Sequence, residues 1–172
     1  MERKIADRYV EESLGFPVTL INVPMKLVRG EWLPDIPLNE FQRVVLWMIT
    51  HMPVAMTGKQ LRFVRHWMEK TQQEFAEMLD VTHAAVSKWE SKGHEPTGMA
   101  KSTEVLLRLN VLTELPDEIW RAFASPYASE SKPESLKRLL NEIQNFAFKM
   151  PNNTGLTIPI DELARPGYLP LR

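Results

Sequence analysis

Eight residues of this chain have the types and spacing for hydrogen bonds and close contacts at a polar surface: Gln72, Thr82, His83, Ala84, Ser87, Lys88, Lys92 and His94. None of them forms a nucleophile–base pair, a carboxylate dyad or a metal-ligand cluster, so they read as a binding set. His83, Ala84, Ser87 and Lys88 fall at helical spacing on one face, and all but Lys88 are short. A helix carrying such a face can sink into the major groove of DNA. There a histidine donates to a guanine or a phosphate, an alanine meets a thymine methyl, and hydroxyls and lysines hold phosphates. On this reading Gln72 donates to the backbone and braces a neighbouring base-reading side chain. His83 and Ala84 meet base edges, Thr82, Ser87 and Lys88 hold phosphates, and Lys92 and His94 touch the backbone from a following loop. The alternative for each is a solvated helix surface.

The elements that must position these residues are legible between Thr71 and Glu90, TQQEFAEMLDVTHAAVSKWE. Thr71 is an N-cap whose partner Glu74, three residues on, completes a capping box. Phe75, Ala76 and Leu79 give the first helix its apolar face, and the small Ala76 lets a second helix cross closely. Asp80 ends that helix where a left-handed backbone is needed, a conformation in which Asp is tolerated better than most residues. Val81 returns to the core, Thr82 caps the second helix, and Val86 and Trp89 anchor it. Phe75, Val86 and Trp89 are core residues on this reading. Arg62 and Arg65, on the preceding helix, read as solvated or salt-bridged.

The segment resembles the helix-turn-helix of Cro/repressor (XRE) type. That pattern runs Ser/Thr-Gln, then Ala four residues on, Leu-Gly-Val, a capped recognition helix and Trp-Glu. Here it is carried by Thr71-Gln72, Ala76, Leu79-Asp80-Val81, Thr82, Val86 and Trp89-Glu90, with Asp80 in place of Gly. The resemblance implies a mainly α fold: a five-helix Cro/repressor-like domain, a small N-terminal α+β region and a C-terminal helical extension. It also implies a homodimer on a double-stranded operator, each subunit reading a half-site about one helical turn from the other.

A second resemblance covers the region upstream. DRYVEESLGFPVTLINVPMKL, and Thr57-Gly58-Lys59-Gln60-Leu61-Arg62-Phe63 before the helices, are similar in layout to antitoxins of the MqsA type. These join a zinc-binding, toxin-contacting N-terminal domain to an operator-binding helix-turn-helix. This implies an autoregulating repressor with a toxin as partner. The chain has no cysteine, so the thiolate zinc site of that family cannot form and no metal or cofactor is expected. The competing reading is a protein-interaction module that neutralises a partner, with DNA binding secondary. Nothing in the sequence points to an enzyme.

The totals restrict these readings. With 172 residues and a formal net charge of −1, the chain has no global attraction for nucleic acid, so affinity must come from local placement. From Thr57 to Lys101 seven Lys/Arg stand against six Asp/Glu, with three histidines. No apolar run reaches membrane-spanning length and the N-terminus is too charged for a signal peptide, which predicts a cytoplasmic protein without membrane contact.

Periodicity and breakers divide the chain into 1–53, a small partner-binding α+β region; 54–124, the DNA-binding domain; and 125–172, a helix and tail. Met1 to Glu12 reads as a helix or a partly ordered arm. Pro17 to Leu33 reads as a small hairpin or meander broken at Pro24 and at Arg29-Gly30. Helices follow from Asn39 to Met52, after Gly58, from Met99 to Leu112 with Val105, Leu106 and Leu109 apolar, and from Asp117 to Phe123. Ser125 to Pro133 reads as a polar linker, and Leu156 to Ile160 as a short strand. The stripe Leu136, Leu139, Leu140, Ile143, Phe146 fits either packing within the chain or a dimer seam.

Overall fold

The computed structural model describes residues 2–119 and 156–160, with single helical positions at 134, 137 and 141. The expected continuation of the helix to Phe123, the linker to Pro133 and the Leu136 to Phe146 stripe lie outside the described residues. Three strands come first: β1 (Arg3–Glu11), β2 (Val18–Val28) and β3 (Glu31–Pro34). Five helices follow among the described residues: α1 (Leu38–His51), α2 (Gly58–Trp67), α3 (Gln72–Met78), α4 (His83–Glu90) and α5 (Lys101–Glu114). β4 (Leu156–Pro159) returns to the sheet. Among the described residues no helix is long and apolar enough to cross a membrane.

Arg3–Glu11 is neither helix nor arm but a strand. β1 pairs antiparallel with β2 from Arg3↔Lys26 to Glu11↔Val18, because the long apolar β2 offers it a partner over its whole length. On its other edge β2 pairs antiparallel with β3 at one end, Met25↔Pro34 to Val28↔Glu31, and parallel with β4 at the other, Val18↔Leu156 to Ile21↔Pro159. Pro24 therefore does not break the strand. Its carbonyl accepts from the Asp35 amide on the β3 side. The N–H it lacks would face that same side, in the gap between β3 and β4, where no ladder bond is lost. The expected turn at Arg29-Gly30 is present, with both residues at positive φ (51° and 87°), the conformation of the tightest hairpins.

Asn22 also has positive φ, 55°, and it reverses the pleat. Val18 and Leu20 are buried before it, Val23 and Met25 after it, so the inward face changes parity while the register with β1 stays constant. Inward residues of the sheet join one apolar core with Phe41, Val44, Val45 and Ile49 of α1 and with Leu61, Val64 and Phe75 of the later helices. Phe16, in the β1–β2 turn, meets Phe63 of α2 edge-on at 5.6 Å.

α5 packs on α1 with a face shifted from the expected one. Leu106 is exposed, Leu109 half-buried, and Leu107, Arg108, Val111 and Leu112 are buried. The physical reason is Arg108, which is fully buried. It donates to the carbonyls of Thr50, Met52 and Val54 at 3.1, 2.6 and 2.7 Å and pairs with Glu104 at 2.6 Å. Glu104 in turn accepts from the Met56 amide. One guanidinium thus satisfies the orphan carbonyls at the end of α1 and ties the α1–α2 connection to α5. Turning Arg108 inward puts Leu106 out.

Candidate nucleic-acid interface

Local chemistry sets α3 and α4 at a fixed angle. The Thr71 hydroxyl accepts from the Glu74 amide at 3.2 Å while the Glu74 carboxylate accepts from the Thr71 amide at 2.7 Å, the expected capping box. Asp80 has φ 53°, the left-handed turn residue, and the Val81 amide folds back to the Ala76 carbonyl at 3.0 Å. The Thr82 hydroxyl accepts from the Ala85 amide at 3.1 Å and starts α4. Ala76, Val86 and Phe75 are buried.

The other end of α4 is gripped by α2. A Cβ added at Gly58 would lie 2.5 Å from the Trp89 carbonyl oxygen and 2.9 Å from that of Glu90, so only glycine permits this approach. The Gly58 and Lys59 amides donate to the carbonyls of Glu95 and Gly93. A bridge between Thr57 and Pro96 and a bond from the Thr97 amide to the Met56 carbonyl complete the seam. The loop after α4, which carries Lys92 and His94, is thereby held to the start of α2.

Glu90 joins three helices. Its buried carboxylate takes the Arg65 guanidinium in two bonds, 2.6 and 3.1 Å, and the Gln72 amide at 2.8 Å, with Arg62 3.6 Å away. Arg65 also donates to the Lys70 carbonyl at the α2–α3 turn. Burial would raise the Glu90 carboxyl above the usual carboxylate range. The hydrogen bonds from Arg65 and Gln72, with the positive charges of Arg65 and Arg62, outweigh it and hold it below. A bidentate arginine–carboxylate pair is the geometry that best repays desolvation.

Around this frame the sequence-selected residues separate into two groups. His83, Ala84, Ser87 and Lys88 are exposed on one stripe of α4, and Lys92 and His94 are exposed in the following loop. Among the described residues, the side chains of His83, Ser87, Lys88, Lys92 and His94 have no hydrogen-bond or ion-pair partner. Thr82 and Gln72 are already employed: the Thr82 oxygen caps α4, and the half-buried Gln72 gives its amide to Glu90, leaving its carbonyl oxygen available. The result is an exposed helix face whose free donors are unsatisfied by the described residues, on a scaffold locked by caps and a buried ion pair.

Residues 61–99 match the family model described as helix-turn-helix. This segment is a helix-turn-helix. It spans α3, the Asp80 turn and α4, with most of α2 before it and the loop that carries Lys92 and His94 after it. No curated protein and no solved structure matches the chain. A helix-turn-helix of Cro/repressor type is a DNA-binding unit of transcription regulators, and α4 stands in the place of its recognition helix.

Reading the sequence alone missed what Glu90 does within the helix-turn-helix. It was visible as the second half of Trp89-Glu90, but its partners lie 25 and 18 residues upstream. Arg65 and Arg62 carried the only available signal, as two cations one turn apart on the helix before the turn. Arg65 is indeed salt-bridged. Arg62 stays mostly exposed, its side chain 62% accessible.

Proposed function

We propose that the chain is a sequence-specific transcriptional repressor that places α4 in the major groove of an operator and acts as a homodimer. The observation that carries this reading is the stripe of exposed, unpartnered donors on α4, held by a frame with no slack at either end. His83 and Ala84 meet base edges; Ser87, Lys88, Lys92 and His94 reach base edges or phosphates. Thr82 presents its hydroxyl hydrogen to the backbone while its oxygen caps the helix. Gln72 reaches a phosphate through the second N–H of its amide, the first being given to Glu90. A formal net charge of −1 makes the affinity depend on these placed contacts rather than on bulk attraction, so binding will weaken steeply with salt only in proportion to the few cations engaged.

The test is a gel-shift series on DNA from the chain's own promoter region. Gln72→Ala with His83→Ala is expected to abolish the shift while circular dichroism reports an intact fold and the melting temperature falls only by the few degrees that loss of the Gln72–Glu90 bond costs. A wild-type shift from that folded variant would remove these residues from the interface. The layout shared with MqsA-type antitoxins extends the proposal to autoregulation beside a toxin, with the N-terminal sheet as the toxin-facing part and no zinc. Co-expression with the neighbouring reading frame tests this: neutralisation of a toxic product supports it, and an innocuous neighbour refutes it.

A further inference from the structure

β1 is a nine-residue strand paired on one edge only. The opposite edge of β2 is divided between β3 and β4. Among the described residues nothing pairs with the outer edge of β1. Its exposure is large: Ile5 is 70% accessible and Val10 43%. The backbone of Ile5 faces that edge as well. Glu2 accepts from the Leu27 amide, while Pro24, opposite Ile5, turns its carbonyl to the β3 side. Antiparallel ladders alternate bonded and non-bonded pairs, so the N–H and C=O of Ile5 point away from β2 and are free.

Two features of β1 say what would cover it. Its ends differ in charge: Glu2, Arg3 and Lys4 sum to +1 at one end, Glu11 and Glu12 to −2 at the other, with Asp7 and Arg8 cancelling in the middle. An antiparallel copy of the same strand brings each basic end to an acidic end twice, whereas a parallel copy opposes like charges. Its two faces are also symmetric about its middle. Residues opposite one another share a face, so Lys4 and Ala6 lie inward with Met25 and Val23, and Tyr9 and Glu11 inward with Leu20 and Val18. Arg3, Ile5, Arg8 and Val10 lie outward. The pleat reversal at Asn22 produces this pattern. A two-fold axis between Ala6 and Asp7 maps outward positions on outward and inward on inward, which a regular strand would not allow at that point. At that register Lys4 sits opposite Tyr9 of the second copy and diagonal to its Glu11, and Arg3 diagonal to its Glu12; these two attractive diagonals offset the repulsion of Glu2 opposite its Glu11.

We infer that the outer edge of β1 is a homodimer interface, in which β1 pairs antiparallel with β1 of a second copy to make one continuous sheet through the two-fold axis. This rests on the reading of the chain as a dimeric DNA reader for its purpose, but not for its evidence. Strand addition draws its affinity from main-chain hydrogen bonds and its selectivity from the flanking side chains.

The experiment is sedimentation equilibrium of the full chain without DNA, so its outcome is independent of the proposed function. The wild type is expected to move from 19.9 kDa to twice that mass as concentration rises. Arg3→Glu with Lys4→Glu, and separately Glu11→Lys with Glu12→Lys, are each expected to weaken dimerisation at least tenfold. The second pair touches neither Asp35, which Arg3 approaches at 3.4 Å, nor Trp32, over which Lys4 lies; loss of fold cannot mimic its effect if the circular dichroism spectrum is retained. All four changes together restore complementarity and are expected to restore the dimer. A wild type that stays monomeric, a dimer indifferent to either reversal, or a fourfold variant that stays monomeric would overturn the proposal.

Discussion

Replacing Glu90 with Ala tests whether the buried carboxylate is what locks α4 against α2 and α3. Its side chain is 3% accessible and that of Arg65 9%, so the variant leaves a guanidinium in the interior with the Lys70 carbonyl and His66 as its remaining neighbours. Breaking a buried ion pair from one side costs about 3–5 kcal/mol, mostly the penalty of the orphaned charge. That is a large share of the roughly 5–15 kcal/mol that holds a domain together. With a urea dependence of about 2 kcal/mol per molar, the unfolding midpoint falls by about 2 M. Gln72→Ala removes only one charge-assisted bond from a half-buried side chain and costs about 1–2 kcal/mol. Arg65→Met combined with Glu90→Ala removes both charges and recovers much of the loss, which a double-mutant cycle by urea denaturation measures as coupling. The sign with pH follows. The carboxyl is held below its unfolded value, so its contribution is complete above that value and is lost as pH falls through the folded one. Glu90→Gln abolishes this acid branch. A Glu90→Ala variant within about 1 kcal/mol of wild type, with no coupling to Arg65, would refute the reasoning.

Other expectations are narrower. His51 is mostly buried, stacked on Trp47 at 4.0 Å, and burial pushes its pKa down to about 4. The unfolded chain binds the proton first, so stability is complete above about pH 6.5 and declines toward pH 4 by at most about 3 kcal/mol. His51→Phe is expected to flatten that slope in thermal melts. Gly58→Ala forces a methyl onto the Trp89 carbonyl at 2.5 Å and is expected to cost about 3 kcal/mol or more by urea denaturation; an unshifted midpoint would mean that α2 and α4 separate freely. Asp80→Gly relieves a left-handed residue and is expected to raise stability by up to about 1 kcal/mol in the same assay, the relief partly offset by the freer unfolded chain.

What the sequence made legible was local. Thr71 with Glu74, the strained Asp80 and the cap at Thr82 each depend on residues within three or four positions, so their chemistry can be read directly. Exposure of His83, Ala84, Ser87 and Lys88 followed from the inward anchors Val86 and Trp89. What was hidden depended on partners far along the chain. Arg65 meets Glu90 across 25 residues, and Arg108 meets the Thr50 carbonyl across 58. A helical arginine reads as outward and Leu106 as inward until the unpaired end of α1 is placed beside them. β1 reads as an arm because its charges fall on both faces and its alternation reverses at the middle. Only the full-length partner β2 makes it a strand, and only the gap between β3 and β4 accommodates Pro24.

The central claim, that the exposed stripe of α4 reads DNA sequence, is tested most directly by selection from a randomised duplex library. The wild type is predicted to enrich one motif with two-fold symmetry. His83→Ala and Ser87→Ala are predicted to relax particular positions of it by about 1–3 kcal/mol each. Lys92→Ala is predicted to weaken all sequences alike and lower the salt dependence by about one counterion. Enrichment of no motif by the folded wild type, or a motif indifferent to His83 and Ser87, would contradict it.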